Sequence, residues 1–111
     1  MAKKAERERI QNWFDEYNRR FFSGRLKKVG VCWDSCIDLF DLLGAYNRKL
    51  NRIRVNSKLI QWDAMARLVL LHEMVHADLT VRKIRCFGAH GRYFNREMLR
   101  LAKAGAFNGL W

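Results

Sequence analysis

Proline is missing altogether, and neither a Ser/Gly-rich linker nor an internal repeat marks a boundary between units. The 111 residues therefore read as one small domain, residues 1–111. Cysteine is scarce. Three thiols (Cys32, Cys36 and Cys86) cannot all pair within one chain, whereas a small secreted scaffold usually carries an even set. Cys32 and Cys36 stand as CxxxC, with no second pair to complete a four-thiolate zinc site, so they read as small apolar residues. Long apolar runs are absent too: Leu68–Leu71 runs straight into His72 and Glu73, far short of the ~18 residues of a membrane span. The basic start, Met1–Arg9, is not followed by an apolar segment of secretory type, so a cytoplasmic or nucleoid-associated protein is expected, with no membrane role.

Acid is in short supply. Eleven Asp and Glu face 22 Lys and Arg, a formal charge of +11. The excess is uneven: residues 42–62 hold Arg48, Lys49, Arg52, Arg54 and Lys58 and no acid. From residue 79 onward, Arg82, Lys83, Arg85, Arg92, Arg96, Arg100 and Lys103 face Glu97 alone. Such a field attracts polyanions, and Arg48, Lys49, Arg52, Arg54, Arg92, Arg96, Arg100 and Lys103 are the candidate nucleic-acid contacts. Trp62, Tyr93 and Trp111 are candidates to stack on bases, although packing is the plainer role for each.

What is plentiful is apolar: 50% of the chain is hydrophobic and 13% aromatic, enough for a core. Ile10, Trp13, Phe14, Tyr17 and Phe21 recur at helical spacing, predicting a helix over 3–22 stopped by Gly24. Val29, Val31 and Trp33 alternate as a strand does. Residues 34–43 are ambiguous, with a helical turn expected around Asp38–Leu43. Further strands are expected at 44–48 and 52–56, joined through Asn47–Asn51, which together make a small three-stranded antiparallel sheet. Residues 58 to about 81 predict a long helix with Met65, Leu68, Val69, His72, Val75, His76 and Leu79 on one face and Asp63 near its start. A last helix spans about 92–104, with Phe94, Met98, Leu101 and Ala102 inward and Gly105 beyond. The class is α+β.

His72-Glu73-Met74-Val75-His76 is an HExxH motif inside the long helix. Residues four apart stand one turn above each other, so both imidazoles can reach one zinc ion. Glu73 is turned roughly 100° away, where it reaches a water rather than the metal and can act as general base. Two histidines beside a glutamate could instead belong to a core, but a buried carboxylate would then lack a partner. A catalytic metal needs a third protein ligand. Leu79 and Arg82 stand where metzincins carry Gly and His, which removes that class. His90 and Glu97 are the candidates, since Asp78 is turned from the ligand face. Tyr46 or Tyr93 is a possible donor to the developing oxyanion.

The order Asn18-x-x-Phe21-Phe22-x-Gly24-x-Leu26, Trp33, Gly44-x-Tyr46, Ile53-x-Val55-Asn56, Leu71 through His76, then His90-Gly91-x-x-Phe94 resembles the SprT-like zinc metalloproteases from about residue 10 to 105. The resemblance implies one zinc per chain on His72, His76 and His90, with Glu73 as base and helices packed on a small sheet. It also implies proteolysis, which in one branch of the family is directed at proteins crosslinked to DNA, a repair activity. Only the catalytic core is expected here, without the cysteine-rich ribbon or binding tails that many members add. The expected function is thus a zinc endopeptidase, monomeric, acting on proteins on or near DNA, with extended substrate adding to an edge at Arg52–Asn56. The alternatives are a zinc-stabilised nucleic-acid-binding module with weak or no protease activity, and a peptidase without a nucleic-acid role.

Overall fold

The computed structural model describes residues 2–37, 42–84 and 90–110. The part of the expected helical turn at 38–41, and Cys86 and Trp111, lie outside them. Helix α1 (Lys4–Phe21) buries Ile10, Phe14, Tyr17 and Phe21, the stripe its spacing predicts. Asn18 decides where it stops. Its carbonyl accepts from the amides of Phe22 and Gly24 at 3.1 and 3.0 Å, and its side-chain oxygen accepts from Leu26 at 2.9 Å. Ser23 and Gly24, at φ 53° and 73°, make the left-handed turn such an ending needs.

Three strands follow: β1 (Gly30–Asp34), β2 (Gly44–Asn47) and β3 (Arg52–Asn56). Their order is β1-β3-β2, with β3 antiparallel to β2 and parallel to β1. The sheet is therefore mixed, not purely antiparallel as the hairpin pattern suggested. Burial gives the reason. Ile53 and Val55 are both wholly buried, which suits a central strand, whereas every residue of β2 is half-exposed, as an edge strand is. Once the third strand inserts in the middle, two chain reversals leave it running with the first. The expectation that substrate adds to Arg52–Asn56 is corrected by the same order, because both sides of β3 are already paired.

Asn56 also shortens the next helix. Its side chain accepts from the Lys58 amide at 3.0 Å and closes a separate 3-10 turn, Ser57–Leu59. Helix α2 then starts later than expected, spanning Asp63–Val81, with Asp63 in its first turn and bound to Arg9 at 2.9 Å. Leu70, Leu71, Met74, Val75 and Ala77 are wholly buried against the sheet, α1 and α3. The stripe read from the sequence is only partly a core face: Met65 is exposed, and Leu68, His72 and His76 are half-buried along an open cleft.

Helix α3 (Arg92–Lys103) buries Phe94, Glu97 and Leu101; Ala102 faces outward, contrary to expectation. An ion-pair chain fastens it to the rest. Asp78, wholly buried, binds Arg25 at 2.8 Å and Arg82 at 3.1 Å, and Glu97 joins Arg82 to Arg100. The segment after α1, the end of α2 and the middle of α3 are thereby held together just beyond the HExxH turn. Among the described residues, no helix is long and apolar enough to cross a membrane.

Candidate metal centre

Helical geometry sets His72 and His76 one turn apart, with ring centroids separated by 5.1 Å. His90, immediately before α3, swings in from another part of the chain to 4.9 Å from His72 and 5.2 Å from His76. The Nε2 atoms of His72 and His90 stand 3.0 Å apart, and one ring nitrogen from each of the three histidines lies within 4.8 Å of the others. Among the described residues, this is the one cluster of three or more His, Cys, Asp or Glu able to hold a metal ion.

The electrostatics suit a cation. Burial and then the neighbouring His72 and His90 push His76 down to about 4. Burial and His90 lower His72 in the same way. Both rings are therefore neutral at pH 7, with lone pairs available and no proton to displace. Three imidazole nitrogens form a donor set suited to zinc that leaves a position free. The residues fit the metal that HExxH implies.

Phe94 forms the floor. Its ring centre is 4.8, 4.5 and 4.7 Å from those of His72, His76 and His90, and it lies nearly parallel to His76 at 29°. One buried, rigid ring thus limits the tilt of all three imidazoles. It also anchors the first turn of α3, directly after His90 and Gly91.

Glu73 lies on the side of α2 that faces β2. It is 8% exposed, and burial pushes its carboxyl up to about 7, the range of a useful general base. Gly44 permits this arrangement. A Cβ there would lie 2.5 Å from Val69 Cγ1 and 3.3 Å from Glu73 Cγ, so any larger residue would force β2 away from the carboxylate.

The structure thus brings together His72, Glu73, His76 and His90, and turns Glu97 to other work. Both Glu97 oxygens are engaged, one by Arg82 and the other by Arg100 at 3.0 Å. Tyr46 donates its hydroxyl to Asn51 Oδ1 at 2.8 Å, and Tyr93 lies beneath the guanidinium groups of Arg92 and Arg96 at 5.3 and 5.6 Å. Of the candidate nucleic-acid contacts, Arg48, Lys49, Arg52, Arg92, Arg96 and Lys103 are exposed. Arg54 leans toward Asp34 at 3.5 Å, and Arg100 packs over Phe22 while holding Glu97, which draws both from the surface. Gly44 stood in the sequence only as a motif letter, and Phe94 as a motif letter and an inward position of the last helix. The contacts of Phe94 with His72 and His76, and of Gly44 with Glu73, join segments far apart in the chain, so no local pattern announces them.

The sequence model of the SprT-like family matches residues 10–109. Two curated relatives, each named DNA-dependent metalloprotease SPRTN, come from Danio rerio and Xenopus tropicalis. Each is 33% identical to this chain over 89% of it. The chain spans 16% of the length of the fish protein and 24% of that of the frog protein.

Proposed function

The chain belongs to the SprT-like family, and on that premise we propose that it is a zinc-dependent endopeptidase acting on proteins held on DNA. The observation that carries the reading is the convergence of three imidazoles, two of them held neutral by burial, beside the buried carboxylate of Glu73. His72, His76 and His90 are the metal ligands. Bound there, zinc would polarise a peptide carbonyl and make a water more acidic. Glu73, poised near neutrality, accepts the proton of the attacking water and returns it to the departing amine. Phe94 keeps the imidazoles in place without competing for the metal.

The edge of β2 that no other described strand pairs, beside Glu73 at Gly44, is where an extended substrate can add by main-chain hydrogen bonds. The DNA part of the proposal draws on the name of the two relatives and on the exposed basic residues of the β2–β3 hairpin and α3.

The test is Glu73→Gln. Cleavage of a DNA-bound protein should fall by about 10²–10⁴-fold, while elemental mass spectrometry still finds about one zinc per chain. If neither wild type nor variant cleaves such a substrate while zinc is bound, the chain is instead a zinc-stabilised binding module; equal cleavage by both would remove Glu73 from the role of base.

A further inference from the structure

Beside Glu73 lies a cavity of about 470 Å³, within the roughly 300–1,000 Å³ of pockets that enclose small organic groups. Its walls come from three places: Leu42 and Leu43 ahead of β2, Leu68 and Val69 on α2, and Met98 with Phe107 from α3 and the turn beyond it. Gly44 closes the side next to Glu73. Resting on the peptidase reading above, the geometry points to a specificity pocket here that takes a large apolar side chain (Phe, Leu, Met or Trp) from a residue flanking the scissile bond.

Three observations support the assignment. The pocket shares its wall with the reacting groups, because His72 and Glu73 line it, so whatever fills it lies next to the bond being cut. Among the described residues of that lining there is no Lys or Arg, although the chain carries +11. The basic surface and the pocket therefore select for different things. Finally, Leu42 and Leu43 stand at the mouth 41% and 44% exposed, apolar surface that an incoming apolar group would cover. Glu73, the one carboxylate among the described lining residues, repels an acidic side chain. It would pair with a lysine at the expense of its own role as base.

Two measurements on the full chain decide this. First, the zinc-loaded protein is incubated with a random-sequence peptide library and the cut bonds are identified by mass spectrometry. Phe, Leu, Met or Trp should be favoured about tenfold or more over Ala, Asp and Lys at one position next to the cut. Leu43→Asp, a change at the exposed lip, should bring that preference toward one. Second, the ¹³C-methyl signal of Met98, identified from its loss in Met98→Leu, should shift on titration with N-acetyl-phenylalaninamide and stay still with N-acetyl-aspartamide. Glu73-dependent cleavage with no apolar preference overturns the pocket and leaves the peptidase reading standing. A Met98 shift without any cleavage keeps an apolar site and overturns the peptidase reading. Neither cleavage nor shift overturns both.

Discussion

A carboxylate that is 8% exposed destabilises a fold once it ionises, and Glu73 occupies that position one residue from His72. With its folded value pushed up to about 7 from an ordinary 4.5, the native state holds a proton between those limits that the unfolded chain has released. Stability from this group is lost as pH rises through that window and stays lost above it. In the metal-free protein, Glu73→Gln should therefore be more stable than wild type at pH 8, by about 3 kcal/mol. The gap should close below pH 4.5, and urea unfolding at the two pH values checks it. An equal gap at both would mean that the effect is packing rather than ionisation. His72 and His76 act in the opposite sense: their lowered values mean that the unfolded chain takes up protons first as pH falls below about 6.5. Comparing the two proteins at each pH cancels that contribution. These residues were legible from the sequence because an i, i+4 pair on a helix is fixed by helical geometry alone. Their protonation was not, since burial is set by distant segments.

At the scale of elements, the site is a meeting of α2 with the first turn of α3. Phe94 makes that joint, with ring contacts of 4.5–4.8 Å to all three histidines. Phe94→Leu keeps an apolar filling but removes the flat floor. It should cost only about 1 kcal/mol of stability while weakening zinc binding by about tenfold or more, as loss of an outer partner does. Competition against a chromophoric chelator reads the affinity. Unchanged affinity would reduce Phe94 to a core residue. Most helix bounds were readable: α1 ends just before the Gly24 stop and α3 lies within a residue of its predicted bounds, whereas α2 starts five residues late. The pairing of strands was not readable. Alternation in β1 and β3 identifies strands without saying which two are neighbours, and the central place went to the strand with the most completely buried pair, Ile53 and Val55.

For the molecule as a whole, DNA binding of the kind proposed above, drawn by +11 on 111 residues, should weaken steeply with salt, because each phosphate contact releases counterions. Arg92 and Arg96 flank Tyr93 on the exposed side of α3, a cationic and aromatic surface ready for a phosphate chain. Replacing both by Gln should flatten the plot of log affinity against log salt by roughly 1.4–1.8. Fluorescence anisotropy with a labelled oligonucleotide measures this. An unchanged slope would move the contacts to Arg48, Lys49 and Arg52 on the hairpin.

Composition and spacing by themselves determined the charge, the helices apart from the start of α2, the strand segments and the pair His72 and His76 with Glu73 beside them, because each depends on neighbours within a few residues. They left the third ligand open between His90 and Glu97. In the tertiary structure Glu97 is turned onto Arg82 and Arg100, while His90 stands over Phe94 beside His72 and His76. That structure also decided which strand is central, why residue 44 has room for no side chain, and that an apolar cavity opens beside Glu73. All of these depend on side chains tens of residues apart being packed into one volume, and a linear pattern records the participants without recording who meets whom.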